Sequence, residues 1–184
     1  MQHVRQIVPV NYGAAIVSRI TPEQLCAQYA VKVARFASMA AGNNADADDI
    51  AQDALLKAIA ALERYEPERG SFEAWLWRIV ANTARDAGRR ARVRALFAER
   101  LARPEPAQDP EAAAIEHATT AEIYAAMARL GLRDREVLAL RFGSELSTSE
   151  VGAIVGLSAE SARRAIGRAL ERLRATLSKG VGDE

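Results

Sequence analysis

Residues 147–173 read STSEVGAIVGLSAESARRAIGRALERL, two short helices joined by a tight turn, with arginines gathered on the second. Ser147 and Glu150 stand three residues apart, the spacing at which a capping hydroxyl and a carboxylate satisfy each other's backbone N–H. Val151, Ile154 and Val155 recur at helical spacing, and Gly156 stops that helix where a left-handed residue is wanted. Ser158 caps the next helix, whose buried stripe is Leu157, Ala162, Ala165, Ile166, Ala169, Leu170 and Leu173. Arg163, Arg164, Arg168, Arg172 and Arg174 are left on or beside its solvent face. This is the layout of a helix-turn-helix, whose second helix enters the DNA major groove and whose arginines reach guanine edges and phosphates. The competing reading is a surface helical hairpin with solvated charges. Glycine in the turn, two caps and arginines on the second helix together favour DNA.

The chain around this pair has 184 residues, enough for one ordinary domain or two small ones. Hydrophobic residues make up 49%, so it folds, and with alanine abundant and no sustained alternation of β-branched residues it reads as all-α. The net charge of +1 would argue against a polyanionic partner, but it hides segregation. Residues 46–73 carry eight acids and three bases, whereas residues 78–103 carry eight arginines and two acids. Residues 104–122 hold five acids and no Lys or Arg, and residues 159–179 six bases against two acids. Two basic surfaces with acidic surfaces between them are expected. One could meet DNA and the other face a different, basic partner. Cys26 is alone, which excludes an internal disulfide and a cysteine metal cluster. The first twenty residues have no apolar run long enough for a signal peptide or membrane helix, so a cytoplasmic protein without membrane insertion is expected.

Residues 1–20 show no clear period and read as a tail. Thr21, Pro22 and Gln24 open the first helix, which runs through Leu25, Tyr29, Val33 and Phe36 to a break at Gly42. A second spans about residues 46–62, with Ile50, Ala54, Leu55, Ala58, Ile59 and Leu62 as its apolar face. Ser71 caps a third, with Phe72, Trp75, Leu76, Ile79 and Val80 as its apolar face. Residues 101–117, LARPEPAQDPEAAAIEH, hold three of the six prolines and four acids and form a linker. The expected organisation is therefore a helical domain over 21–100, the linker, a second helical domain over 118–179, and a short tail over 180–184. Within the second domain a helix runs to Leu130, and another spans about residues 134–142 ahead of the helix-turn-helix.

Two further segments carry chemistry. In residues 46–57, DADDIAQDALLK, Asp49, Gln52 and Asp53 are spaced to share one helix face. That face is a solvated acidic surface, a docking site for arginines of another protein, or a Mg²⁺ site. The spacing of Asp48, Asp49 and Asp53 and the lack of a second acidic motif speak against the metal. In residues 65–82, YEPERGSFEAWLWRIVAN, a loop with Pro67 and Gly70 leads into a helix bearing two tryptophans, an asparagine and then arginines. Aromatic rings beside arginines suit single-stranded nucleic acid, where bases stack and guanidinium groups hold phosphates. Trp75 lies on the apolar stripe and reads as core, while Trp77 lies off it and is open to either role.

The order of these parts resembles the small bacterial sigma factors of RNA polymerase, the extracytoplasmic-function group, over nearly all of residues 21–177. ADDIAQDALLKAI looks like that family's polymerase-binding helix, YEPERGSFEAWLWRIVAN like its segment that reads the melted minus-ten element, and LRDREVLALRF with the helix-turn-helix like its minus-thirty-five domain. The resemblance implies that Asp49, Gln52 and Asp53 contact the clamp helices of core polymerase. It implies that Glu66, Arg69, Ser71, Trp77, Arg78, Asn82, Arg85 and Arg89 serve the minus-ten strand, and that Ser158, Ser161, Arg163, Arg164 and Arg168 serve the upstream duplex. It further implies an anti-sigma factor as partner, no cofactor and no catalysis. A sigma mimic that sequesters an anti-sigma factor without binding DNA is the rival reading. Departures from the family pattern are Ser161 and Ala162 where Thr-Val is common, Ala165 in place of an arginine, and Gly152 in place of alanine.

Overall fold

In the computed structural model, residues 20–41, 46–99 and 115–180 are described. Every regular element among them is helical, in the order α1 (Pro22–Ala41), α2 (Ala47–Ala61), α3 (Phe72–Glu99), α4 (Ile115–Ala128), α5 (Leu132–Leu138), α6 (Thr148–Val155) and α7 (Ala159–Gly180). The expected tail over residues 1–19, the break at Gly42, the linker over residues 101–114 and the last four residues lie outside the described residues. α4 begins at Ile115, inside the stretch read as linker, and ends at Ala128, so Gly131 caps the start of α5 rather than closing α4.

The start signals act as the sequence suggests. Gln24 N–H donates to Thr21 Oγ1 at 3.3 Å and Thr21 N–H to Gln24 Oε1 at 3.0 Å, a reciprocal cap on α1. Ser71 Oγ accepts from Ala74 N–H at 3.2 Å and so caps α3. α5 ends in a π turn, Ala139–Gly143, whose wider winding is closed by Ser144 N–H on Ala139 O at 3.0 Å.

α1 and α2 pack together, with α3 laid across them. Leu25, Val33, Phe36, Ala54, Leu76, Trp77 and Val80 fill this half. α5, the π turn, α6 and α7 form the second half around Met127, Val137, Leu138, Leu140, Val151, Ala162 and Ala169. The two halves are not held apart. α1 lies against α4, α5 and the π turn, and α3 against α5 and α6, so one apolar core runs through both. A Cβ added to Gly143 would sit 3.0 Å from Phe36 Cα, so a glycine lets the π turn lie close against the backbone of α1.

Candidate nucleic-acid interface

On α3, Trp75, Arg78, Asn82, Arg85, Arg89 and Arg92 follow one another at intervals of three or four residues and fall on one face of the helix. Arg78, Asn82, Arg89 and Arg92 are exposed, and Trp75 and Arg85 are half-buried. Arg92 continues the stripe by one step, and the same spacing rule applied to the sequence places it there. Asn82 Oδ1 accepts from Arg85 Nη1 at 2.7 Å, and Arg89 pairs with Asp86 in the next turn.

The stripe starts beside an aromatic group. Tyr65, Phe72 and Trp75 have ring centroids 5.3 to 5.4 Å apart, with Tyr29 5.8 Å beyond Phe72. The loop before it is built tightly. Gly70 takes φ 142°, which only glycine adopts readily, and Tyr65 OH donates to its carbonyl at 3.0 Å. Burial against this group raises the Tyr65 phenol above its ordinary pKa, with Glu68 adding to the effect. Glu66 and Arg69 are exposed and pair at 2.7 Å, and Ser71 serves as the helix cap.

Trp77 requires a correction. It is 1% exposed and packs on Phe36 at 5.9 Å between ring centroids, so its ring is closed to a base. Two positions on a helix differ by about 200°. Trp77 therefore points into the bundle while Trp75 lies on the arginine face.

Asp49 and Gln52 on α2 are exposed, and Asp53 is partly covered. The structure adds a feature that spacing along α2 could not reveal. Asp53 accepts from Lys57 at 2.9 Å and lies 4.0 Å from Arg90, while Asp46 lies 3.9 Å from Arg94. A groove of about 160 Å³ separates these acids from the back of α3. The acidic face thus keeps Asp49 and Gln52 open and has its inner edge balanced by α3. No group of three or more His, Cys, Asp or Glu side chains among the described residues is placed to hold a metal ion.

The helix-turn-helix forms as read. Ser147 accepts from Glu150 N–H at 3.3 Å, and Glu150 Oε2 accepts from Ser147 N–H at 2.8 Å. Gly156 takes φ 73°. Gly152 has a structural reason: a Cβ there would lie 2.7 Å from the Leu157 carbonyl oxygen, so the turn closes directly on its backbone. Ser158 Oγ accepts from Ser161 N–H at 3.2 Å and donates to Ser161 Oγ at 3.0 Å, which makes both serines part of the α7 cap. Ala162, Ile166 and Ala169 are buried, and Arg163, Arg164 and Arg168 are exposed. Arg164 and Arg168 stand one turn apart on a common face with Ser161. Arg163 is turned aside and pairs with Glu160, and Arg172 is held by Asp134 at 2.6 Å.

Comparison with known proteins fits this geometry. The family model for Sigma-70 region 2 matches residues 25–94, and that for Sigma-70 region 4 matches residues 126–175. The chain is 32% identical over 160 residues to the ECF RNA polymerase sigma factor SigE of Mycolicibacterium smegmatis, covering 85% of this chain and 62% of that protein. It is 34% identical over 165 residues to the RNA polymerase sigma factor CnrH of Cupriavidus metallidurans, covering 84% and 85%. The structure of CnrH in complex with the cytosolic domain of CnrY superposes with a TM-score of 0.61 at 29% identity, covering 86% of this chain and 88% of CnrH. Two matched regions in this order, with their caps, aromatic group and arginine faces in place, put the chain in the extracytoplasmic-function group of the sigma-70 family.

Proposed function

We propose that this chain is an initiation factor that binds core RNA polymerase, brings it to promoters and helps open them, acting in the cytoplasm and without catalysing a reaction itself. The observation that carries this is the α3 stripe, where one ring, one amide and four arginines share a face at the end of a capped, glycine-closed loop. A melted strand needs these groups: a ring to stack on, an amide to read a base edge, and cations along the backbone.

Asp49, Gln52 and Asp53 are the proposed contact with the clamp helices of the polymerase. Arg164 and Arg168 are the proposed contacts with duplex bases upstream, while Arg163 is suited to a phosphate. Glu66, Arg69 and the backbone of Gly70 line the loop that would receive a flipped base, with Ser71 setting its shape. The two halves, 21–100 and 118–179, would act as the two promoter-reading units. The likeness to CnrH, whose structure was determined in complex with the cytosolic domain of CnrY, supports a protein partner, and we assign that partner to the anti-sigma kind. Retention of the α3 and α7 arginines speaks against a mimic that only sequesters such a regulator.

Transcription from promoter libraries with purified core polymerase tests the assignment. Asp49→Lys with Asp53→Lys should abolish polymerase binding at unchanged helicity, and undiminished binding by the folded variant would overturn the docking role. Asn82→Ala should reduce opening of duplex promoters more than use of templates already mismatched at minus ten. Normal permanganate reactivity of that variant on duplex DNA would leave Asn82 a purely structural residue.

A further inference from the structure

The arginines of α3 do not share one face. Neighbouring positions on a helix point about 100° apart, so Arg89 and Arg92 continue the stripe while Arg90 and Arg94, one turn apart, look across to α2. There they form one wall of the groove of about 160 Å³, and the carboxylates of Asp46, Asp49 and Asp53 form the other. Ile50, 5% exposed, lines the groove between them.

The two walls stay apart. Arg90 lies 4.0 Å from Asp53 and Arg94 3.9 Å from Asp46, at the outer limit of an ion pair and beyond hydrogen-bonding reach. A closed pair on the same surface is that of Lys57 with Asp53, at 2.9 Å. The Arg90 and Arg94 side chains are 58% and 67% exposed, so each guanidinium keeps donors within reach of a molecule from outside. The groove thus presents opposite charges across an apolar slot that a side chain can enter.

We propose that this two-signed groove, rather than the acidic face of α2 alone, is the docking surface for core polymerase, and that it receives a helix bearing a cation and a carboxylate one turn apart. The cation meets Asp49, and the carboxylate is held by Arg90 and Arg94. Residues three or four positions apart are neighbours on a helix surface, and the walls offer a counter-charge to each. A uniformly basic helix would meet Arg90 and Arg94 as like charges, so the groove selects against it. These two arginines then serve the polymerase and leave nucleic acid to Arg78, Arg89 and Arg92. The inference rests on the docking reading of Asp49.

Fluorescence anisotropy of the full chain, labelled at its N-terminus and mixed with purified core polymerase, reports docking, and labelled oligo-dT reports strand binding. Arg90→Gln with Arg94→Gln removes the charge of one wall at similar length. It should weaken polymerase binding roughly tenfold, mainly through slower association, and leave oligo-dT affinity and its salt dependence unchanged. Arg90→Lys with Arg94→Lys keeps the charge and should recover most of the loss. Unchanged or tighter polymerase binding by the glutamine variant would show that the two cations only balance α2 and would overturn the proposal. Weaker oligo-dT binding would return them to nucleic acid and overturn it equally. If the glutamine variant fails to fold, as judged by circular dichroism, crosslinking carries the test. With Cys26→Ser in place, a photocrosslinker on Arg90→Cys should join the chain to a polymerase subunit, as one on Asp49→Cys does. An adduct from Asp49→Cys alone would overturn the two-signed groove and leave the docking reading standing. No adduct from either, with undiminished binding by Asp49→Lys with Asp53→Lys, would sink the docking reading and the groove with it.

Discussion

Trp75 and Trp77 stand two positions apart on one helix and are assigned opposite roles by its winding. Trp77 fills space beside Phe36, so Trp77→Ala should cost about 3–5 kcal/mol of stability, read as a lower urea midpoint. Trp75→Ala should cost less stability, because its ring is only half-buried, but weaken single-strand binding by about 1–3 kcal/mol. The apolar stripe expected from sequence, Phe72, Trp75, Leu76, Ile79 and Val80, is displaced by about one position from the face that is fully buried, Leu76, Trp77, Val80 and Ala81. Hydrophobicity alone cannot separate them. α3 packs on α1 and α2 and also touches α5 and α6, so its apolar residues spread over more than one face. Gly152 makes the same point from the other direction. At an exposed helical position replacement of glycine by alanine would gain about 0.5–1 kcal/mol, yet Gly152 is buried and an added Cβ would meet a backbone carbonyl. Gly152→Ala should therefore lower the thermal midpoint, and a raised midpoint would show that the turn can relax.

Among the elements, α3 has the most to do: its buried face holds the first half together and its exposed face carries the cations. Replacing Arg78, Arg89 and Arg92 by alanine should reduce the salt dependence of single-strand binding by about 0.7 log units per log unit of salt for each charge removed. Helicity should persist, since all three are exposed. The caps, the turn glycines and the stripes of α6 and α7 were legible because each depends on residues within about four positions of one another. The balance of α2 by Arg90 and Arg94 was not, since it joins residues some forty positions apart whose meeting depends on how α2 crosses α3.

For the molecule as a whole, the sequence shows the segregation of charge but not where the charges meet. Segregation alone points the acidic and basic stretches at outside partners, and the two halves are tied instead by Glu136 and Glu145, which lie outside both acidic stretches and pair with Arg85 and with Lys32 and Arg35. Lys32 and Arg35 hold the Glu145 carboxyl below its ordinary range. A carboxylate lowered in this way stabilises the packing of the two halves fully above its free pKa, and that contribution is lost as pH falls through the lowered value. The three side chains are 40 to 55% exposed, so the thermal midpoint should show only a small decline as pH falls through the carboxylate range. Glu145→Gln should remove the Glu145 part of that decline.

The π turn at Ala139–Gly143 gives the joint between the halves an unusual vulnerability. It winds wider than an α-helix and closes α5, and the chain then leaves helical structure until α6 begins at Thr148. Loss of one residue within it would shift Gly143, which lies on the Phe36 backbone, and Glu145, which pairs with Lys32 and Arg35, relative to α1. The joint between the halves is in this sense set by a count of residues: one in-frame deletion would displace two contacts at once, with no change in the chemistry of any side chain that remains.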